Sequence, residues 1–124
     1  MTLDRRSRLR ELPPGVGDLD AVTVLGNLLH NAIEAVSTMP RSRRRVSVAL
    51  LERPDEMIFR VRDWGPGVRD DDLPRIFTRD FTTKQGHSGI GLALVQSIVN
   101  RAGGRIELEQ PRPGGLAVTV GFPR

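Results

Sequence analysis

The chain has 124 residues, a net charge of +4 and no cysteine, so it can form one ordinary hydrophobic core but no disulfide, thiolate nucleophile or cysteine-bound metal site. No apolar run reaches the ~18 residues that a membrane helix needs, and the start of the chain lacks the apolar segment of a secretory signal. We therefore expect a cytoplasmic domain in a reducing compartment.

Periodicity and turn residues divide the chain into a series of helices and strands. Residues 1–17 are basic and then rich in proline and glycine, and we interpret them as the tail of an upstream segment or a linker, with the domain itself spanning residues 18–124. Asp18 and Asp20 are candidate caps of a first helix, which would end before Pro40. The further predicted elements are strands at 46–51 and 57–63, a helix at 90–102, and strands at 105–110 and 116–122.

A local run of arginines raises the question of nucleic-acid binding. Arg41 and the stretch 43–45 lie between Pro40 and a predicted strand. The chain has no tyrosine, and its single tryptophan and four phenylalanines are scattered, so no stacking platform for bases is visible. We therefore interpret the run as a solvated loop and expect no nucleic-acid partner.

The first predicted helix carries two asparagines at a spacing that suits a metal. Asn27 and Asn31 lie four residues apart, so that two amide oxygens point toward one spot. Such neutral oxygens suit a Mg²⁺ ion that carries phosphates and keeps some of its waters. Polar filler on a solvent-facing helix side remains the alternative. Nearly the opposite face, which we expect to enter the core, comprises Val22, Leu25, Leu29, Ile33 and Val36.

A carboxylate ends the apolar face of the strand at 57–63. Alternation places Asp63 on the same face as Phe59 and Val61. Burying an unpaired carboxylate is costly, so Asp63 needs a hydrogen-bond donor, and the exocyclic amino group of adenine is a suitable one. Gly65 and Gly67 would then let the backbone approach a flat base closely. An ordinary turn after a strand remains the alternative interpretation of these residues.

A glycine-rich turn, Gly86-His87-Ser88-Gly89-Ile90-Gly91, opens the second predicted helix. The unpaired N–H groups and the positive dipole end of a helix attract phosphate. Lys84, the only lysine of the chain, would add a point charge there. The turn does not directly follow a strand and lacks a Gly-Lys-Ser/Thr ending, which excludes the Rossmann and P-loop interpretations.

In this order, the motifs resemble the nucleotide-binding boxes of the GHKL ATPases, and most closely the catalytic ATP-binding domain of sensor histidine kinases. The stretches Asn-Ala-Ile-Glu-Ala and Phe-Thr-Thr-Lys are most similar to the citrate- and dicarboxylate-sensing kinases. The resemblance covers about residues 18–122. Its matching segments are 25–35, Asp63-x-Gly65-x-Gly67, 75–77 with 81–84, and 89–92.

The resemblance implies a Bergerat-type α/β two-layer sandwich, in which three helices cover one face of a mixed, largely antiparallel sheet. ATP would lie between the first helix and a mobile lid. Asn31 would hold Mg²⁺, and Asn27 would support the metal and the phosphates in a catalytic role shared with Lys84.

The resemblance also implies contacts with the base and the phosphates. Asp63 would bind the adenine amino group, Gly65 and Gly67 would shape the base pocket, and Thr119 would lie near the adenine. The remaining contacts with the phosphates, beside Lys84, would come from Gly89, Gly91 and Leu92.

Three positions depart from the family pattern: Trp64, His87 and Glu34, the last of which replaces a phosphate-binding lysine of some members. A further difference separates the chain from the hydrolysing relatives. Gyrase, MutL and the heat-shock chaperone keep a glutamate general base at the position of Asn27, and an amide cannot accept a proton in that role. The resemblance therefore favours transfer of the γ-phosphate to another nucleophile over hydrolysis.

The acceptor of the phosphate is not apparent in the chain, because neither His30 nor His87 lies in a dimerisation-helix motif. We expect it on a helical dimerisation hairpin of a longer, membrane-anchored and homodimeric sensor kinase that passes the phosphate to a response regulator, while this domain alone would be monomeric. Two alternatives stay open. One is a serine kinase of the anti-sigma-factor type, whose members generally keep a glutamate at the position of Asn27, and the other is a non-catalytic nucleotide-sensing module.

Overall fold

A computed structural model of the chain describes residues 2–5, 12–13, 15–75 and 89–124, and these residues form the sheet, the helices and the core. Short 3-10 turns follow the first helix and precede the second. Neither α-helix of the described part is long and apolar enough to span a bilayer. The elements are β1 (Thr2–Arg5), α1 (Asp18–Ser37), β2 (Val46–Glu52), β3 (Glu56–Asp63), α2 (Gly89–Arg101), β4 (Arg105–Glu109) and β5 (Ala117–Pro123), with 3-10 turns at Arg41–Arg43 and Asp70–Arg75.

The five strands form one sheet in the order β1-β2-β3-β5-β4. β1 runs parallel to β2, and the other neighbours are antiparallel, which confirms the mixed, largely antiparallel sheet. The alternating apolar residues of β2, β3 and β5 pack with those of α1 and α2 in one core. Of the three expected helices, the described residues contain two α-helices and, at Asp70–Arg75, a 3-10 turn.

The segment that precedes α1 belongs to the domain. β1 pairs with β2 from Thr2 opposite Ser47 onward. Val16 is buried in the core, and Pro13 is among the fully buried residues. The expectation that residues 1–17 are a tail or a linker is therefore wrong for the described part of that segment, because it supplies both a strand and core contacts.

Helix α1 begins and packs differently from the expectation. Its N-cap is Gly17, without a side-chain cap, and Asp20 instead accepts a hydrogen bond from Arg101 at the end of α2 (3.0 Å). Val22 and Ile33, expected in the core, are 68% and 53% exposed. The other expected residues do contact the core, since Val36 is buried and Leu25 and Leu29 are partly buried against it. The fully buried row is Val24, Leu28, Ala32 and Val36.

The physical reason is that α1 carries two overlapping apolar stripes, and periodicity alone cannot choose between them. The row spaced by four residues faces the sheet. Asn27 and Asn31 then lie beside the buried row, and both are half-buried, so they do not belong to an ordinary solvent face.

An ion-pair network lies on the sheet face that carries no helix. Arg105 of β4 binds Glu56 of β3 (Nε to Oε2, 2.7 Å) and also contacts Glu107. Gly121 of β5 lies between β3 and β4, and a Cβ there would collide with the Glu56 carboxylate. The hydrogen bond from Arg105 holds the pKa of Glu56 below its ordinary value of 4.5.

Glu56→Gln should lower the free energy of unfolding by about 0.5–1 kcal/mol near neutral pH, since the pair is partly exposed. The folded-state pKa of Glu56 is lowered, so its contribution is present above the unfolded-state pKa and is lost as the pH falls through the folded-state value. Urea unfolding of both proteins from roughly pH 7 to pH 3 checks this. A difference that stays constant over the whole range would contradict the assignment.

Candidate nucleotide-binding site

One side of α1 forms a polar row that ends against the loop after β3. Asn27, Asn31 and Ala35 recur at every fourth residue, and each is half-buried. Successive members of such a row are about 6 Å apart along the helix. The row is therefore long enough to meet different parts of one extended ligand.

The orientation of the Asn27 amide is set by its own helix. Its Nδ2 donates a hydrogen bond to the Thr23 carbonyl oxygen at 2.7 Å. A carbonyl can only accept, so Oδ1 must be the end of the amide that points away from this bond. Asn27 therefore presents a neutral acceptor to whatever lies beside α1.

The side-chain amide of Asn31 lacks a bond of this kind. Its Nδ2 is buried and has no hydrogen-bond partner among the described residues. An unsatisfied buried donor costs about 1–3 kcal/mol, and a half-turn about χ2 would place Oδ1 at the same point. A phosphate oxygen could satisfy the amide nitrogen, or a cation the amide oxygen, and both fit the predicted role of Asn31.

Asp63 lies at the end of β3 on the core face and is 5% exposed, which confirms the predicted burial. Its Oδ1 accepts the N–H groups of Gly65 (2.9 Å) and Leu116 (3.3 Å). The bond to Gly65 is the local turn that was the alternative interpretation, so the turn and the buried carboxylate coexist. Both of these bonds end on the same carboxylate oxygen and fix the orientation of the group.

Gly65 joins this carboxylate to α1. A Cβ on Gly65 would lie 2.8 Å from the Ala35 carbonyl oxygen, so only glycine permits this close approach. Asn31 is one turn before Ala35, and the packing therefore brings the predicted base-binding and metal-binding residues to one side of α1. Gly67 has a φ of +76°, a conformation that glycine adopts without strain.

A contact outside every predicted motif holds the same loop from the far side. The Val68 N–H donates to Oε1 of Gln110 at 2.8 Å, and Nε2 of Gln110 donates to Asp70 Oδ1 at 3.3 Å. Gln110 follows β4 and is distant from the loop in sequence. Periodicity and motif spacing carry no signal for such a pair, so it could not be predicted from the sequence.

The start of α2 presents the predicted phosphate-binding backbone. Gly89 and Gly91 lie in its first turn, where N–H groups lack partners within the helix. The side chain of Leu92 is buried in the core, so only its backbone N–H remains a candidate contact. Lys84 and the matching segments at 76–77 and 81–84 lie outside the described residues.

The structure does not bring Thr119, predicted near the adenine, together with Asp63. Thr119 pairs with Arg60 of β3 and with Glu107 of β4. Its neighbours Val118 and Val120 belong to the core, so alternation along β5 turns Thr119 to the sheet face without helices. Asp63 lies on the opposite face.

Two of the residues that depart from the family pattern have local partners. The indole of Trp64 packs against the guanidinium groups of Arg45 and Arg62, whose Cζ atoms lie 4.4 Å and 4.0 Å from its ring centroid. These contacts place the ring with side chains of the helix-free sheet face. Glu34 forms a contact of 2.7 Å with His30 on the preceding turn of α1.

Gly65→Ala should displace the loop from α1, because the added Cβ meets backbone rather than a movable side-chain end. We expect a loss of about 1–3 kcal/mol of stability and at least a tenfold weaker affinity for ADP, measured by calorimetry. Gly26→Ala is the matched control. A Cβ at Gly26 meets nothing within 4 Å, so this change should stabilise the helix by about 0.5–1 kcal/mol and leave ADP affinity unchanged. Equal behaviour of the two variants would show that the Gly65 contact is unimportant.

Comparison with known proteins agrees with this geometry. The family model described as "Histidine kinase-, DNA gyrase B-, and HSP90-like ATPase" matches residues 17–124. A "Probable C4-dicarboxylate sensor kinase" of Halalkalibacterium halodurans is 35% identical over 123 residues, 98% of this chain and 23% of that protein. "Sensor protein CitS" of Bacillus subtilis is 34% identical over 124 residues, 100% of this chain and 22% of that protein.

A solved structure of the "Mycobacterial sensor histidine kinase MprB" superposes with a TM-score of 0.72 at 30% identity, and the match covers 86% of this chain and 72% of that one. The chain spans less than a quarter of the length of the two curated relatives. The matched family model covers all of α1 to β5 and every described element of the candidate site. The chain therefore belongs to the family of histidine kinase-, DNA gyrase B- and HSP90-like ATPases.

Proposed function

We propose that this domain binds ATP together with Mg²⁺ and donates the γ-phosphate to a histidine on a separate dimerisation hairpin of a two-component sensor kinase. One observation carries the proposal. The buried carboxylate of Asp63 and the half-buried amide of Asn31 are brought to the same side of α1 by the packing of Gly65 on Ala35.

The base lies at the Asp63 end of the site in this proposal. Oδ1 of Asp63 is held by the N–H groups of Gly65 and Leu116, so the carboxylate is fixed before a ligand arrives. A fixed acceptor loses little conformational entropy when it receives the adenine amino group. Burial also strengthens the bond, because water does not compete for either partner.

The phosphates lie toward Asn31, Asn27 and the first turn of α2. Asn31 would hold Mg²⁺, with Oδ1 of Asn27 as a nearby neutral acceptor. When bound, the metal neutralises charge that builds up on the terminal phosphates during transfer. The N–H groups of Gly89 and Gly91, with that of Leu92, would face the phosphates at the positive end of the helix dipole, and Lys84 would bind the terminal phosphates.

The residue at position 27 favours transfer over hydrolysis. Activation of water requires a group that accepts a proton, and the Asn27 amide, with Nδ2 bonded to Thr23, cannot do so. In the proposed reaction a ring nitrogen of the acceptor histidine attacks the γ-phosphorus, the bond to the β–γ bridging oxygen breaks, and ADP leaves. The domain supplies position and charge, which are the main requirements of phosphoryl transfer.

The proposed partners, an acceptor hairpin and a response regulator, are inferred from the resemblance to sensor proteins. The C4-dicarboxylate sensor kinase and the sensor protein CitS match 98–100% of this chain and are much longer proteins. A parent of the same kind would be membrane-anchored and homodimeric, would contain the acceptor hairpin, and would pass the phosphate to a response regulator, with this domain on the cytoplasmic side.

Asn31→Ala should remove the part of ATP affinity that depends on Mg²⁺ and should leave affinity for metal-free ADP within about threefold of the wild type. The change removes a buried amide nitrogen that lacks a described partner, so stability should not fall. Asn100→Ala on the exposed end of α2 is the matched control, with an expected change within about 0.5 kcal/mol. Calorimetry with and without Mg²⁺ distinguishes the two. Normal Mg²⁺-dependent binding by the Asn31 variant would show that this residue has no role in metal binding.

The isolated chain should bind ATP, hydrolyse it very slowly and take up no stable label from γ-labelled ATP. Fusion to the dimerisation hairpin of its parent should produce an acid-labile, base-stable phosphohistidine on the hairpin, because a linker raises the effective concentration to the millimolar range. Asp63→Asn in the same fusion should abolish the product. Acid-stable phosphoserine on a partner, or rapid hydrolysis by the isolated chain, would overturn the proposed reaction.

A further inference from the structure

The loop after β3, which carries the proposed base site, forms hydrogen bonds with the connection between β4 and β5 (residues 110–116). At the end of this connection, Leu116 exchanges hydrogen bonds with Asp63: the Asp63 N–H donates to the Leu116 oxygen at 2.9 Å, and the Leu116 N–H donates to the carboxylate. At its start, Gln110 accepts from the Val68 N–H at 2.8 Å and donates to Asp70 at 3.3 Å. The loop is therefore fixed at two points by one connection.

The contact at Gln110 depends on the conformation of Gly67. The left-handed φ of +76° turns the chain so that Val68 directs its N–H toward Gln110. A Cβ on Gly67 would lie 2.6 Å from Oε1 of Gln110, so the glutamine side chain packs directly over this turn. Gln110 thus meets the loop where it leaves the base site.

We propose that Gln110 is a positioning residue for nucleotide binding, which holds residues 64–70 in the conformation that accepts the base. The inference rests on the proposed binding of adenine at Asp63. A ligand that binds only one loop conformation has its apparent affinity reduced by the fraction of molecules in that conformation. Without Gln110 the loop retains its bonds to Leu116 and its packing on Ala35 but loses its contacts at Val68 and Asp70. The fraction of molecules in the binding conformation then falls.

This role predicts a defined pattern of effects. The affinities for ADP and for ATP should fall by the same factor, because Gln110 acts at the base end of the site. Phosphotransfer in a fusion with the acceptor hairpin should show a raised KM for ATP and an unchanged kcat at saturation. Gln110→Ala should weaken ADP binding about 3- to 30-fold, the range expected for the loss of one or two hydrogen bonds.

A reversal of donor and acceptor separates positioning from general stabilisation. Gln110→Glu keeps an oxygen for the Val68 N–H but places a carboxylate against that of Asp70, so ADP affinity should fall. Asp70→Asn in the same chain supplies an amide that can donate to the new carboxylate, and affinity should recover to within about threefold of the wild type. Gln96→Ala on α2 loses no hydrogen bond within the described part of the chain and is the control for removal of a glutamine side chain without such a bond.

The experiment is calorimetric titration of the full chain and its variants with ADP and ATP, together with thermal unfolding of each. Weakened binding in both single Gln110 variants, with recovery in the double variant, supports the proposal. Unchanged affinity in the Gln110→Ala chain, or no recovery in a folded double variant, overturns it. Failure of the wild type to bind ADP, or normal binding by Asp63→Asn, would instead overturn the proposed function and so remove the basis of this inference.

Discussion

The architecture of the candidate site depends on one buried carboxylate. Asp63 is 5% exposed at the end of a central strand, where an ionised group is tolerated only if hydrogen bonds replace its lost hydration. Two of these bonds come from the backbone at Gly65 and Leu116. Each one determines the path of a different connection, so the same carboxylate organises the loop after β3 and the return into β5.

The close packing of that loop on α1 has a second consequence, which concerns the helix. Gly65 can approach Ala35 only if this side of α1 faces the loop, and the buried row from Val24 to Val36 satisfies that requirement. The asparagines then lie between core and solvent. A position of this kind is partly desolvated but still open to a ligand, which suits a group that must bind a charged phosphate and release it again.

Local patterns predicted much of this fold, because they depend on neighbouring residues. The two long helices, four of the strands and the order of the motifs follow from periodicity, glycine and proline positions, and spacing along the chain. The burial of Asp63 follows from alternation, since Phe59 and Val61 share its face. These features need no knowledge of what lies across the sheet.

The remaining features are set by tertiary packing. The face of α1 that enters the core depends on which of its two apolar stripes fits the sheet. Val22 and Ile33 belong to the other stripe and are exposed. Thr119 was assigned by motif position. Its side-chain direction is set by the register of β5, in which Val118 and Val120 face the core and Thr119, between them, faces the other side of the sheet. Gln110 and β1 act through contacts between segments far apart in sequence, and no short window contains both partners.

Strand β1 has an effect that extends beyond the interior of a single molecule. It covers the outer side of β2 by pairing along Ser47 to Leu50, and without it the backbone groups there would form an open edge able to recruit a strand from another chain. The opposite border of the sheet is β4. Its exposed charged residues Arg105, Glu107 and Glu109 disfavour pairing with another strand. The first few residues of the chain thus move the border of the sheet from a strand of seven residues to one of four, and short edge strands are poorer templates for a further strand. A version of the domain shortened to begin at α1 would keep the whole candidate site while exposing the longer edge of β2.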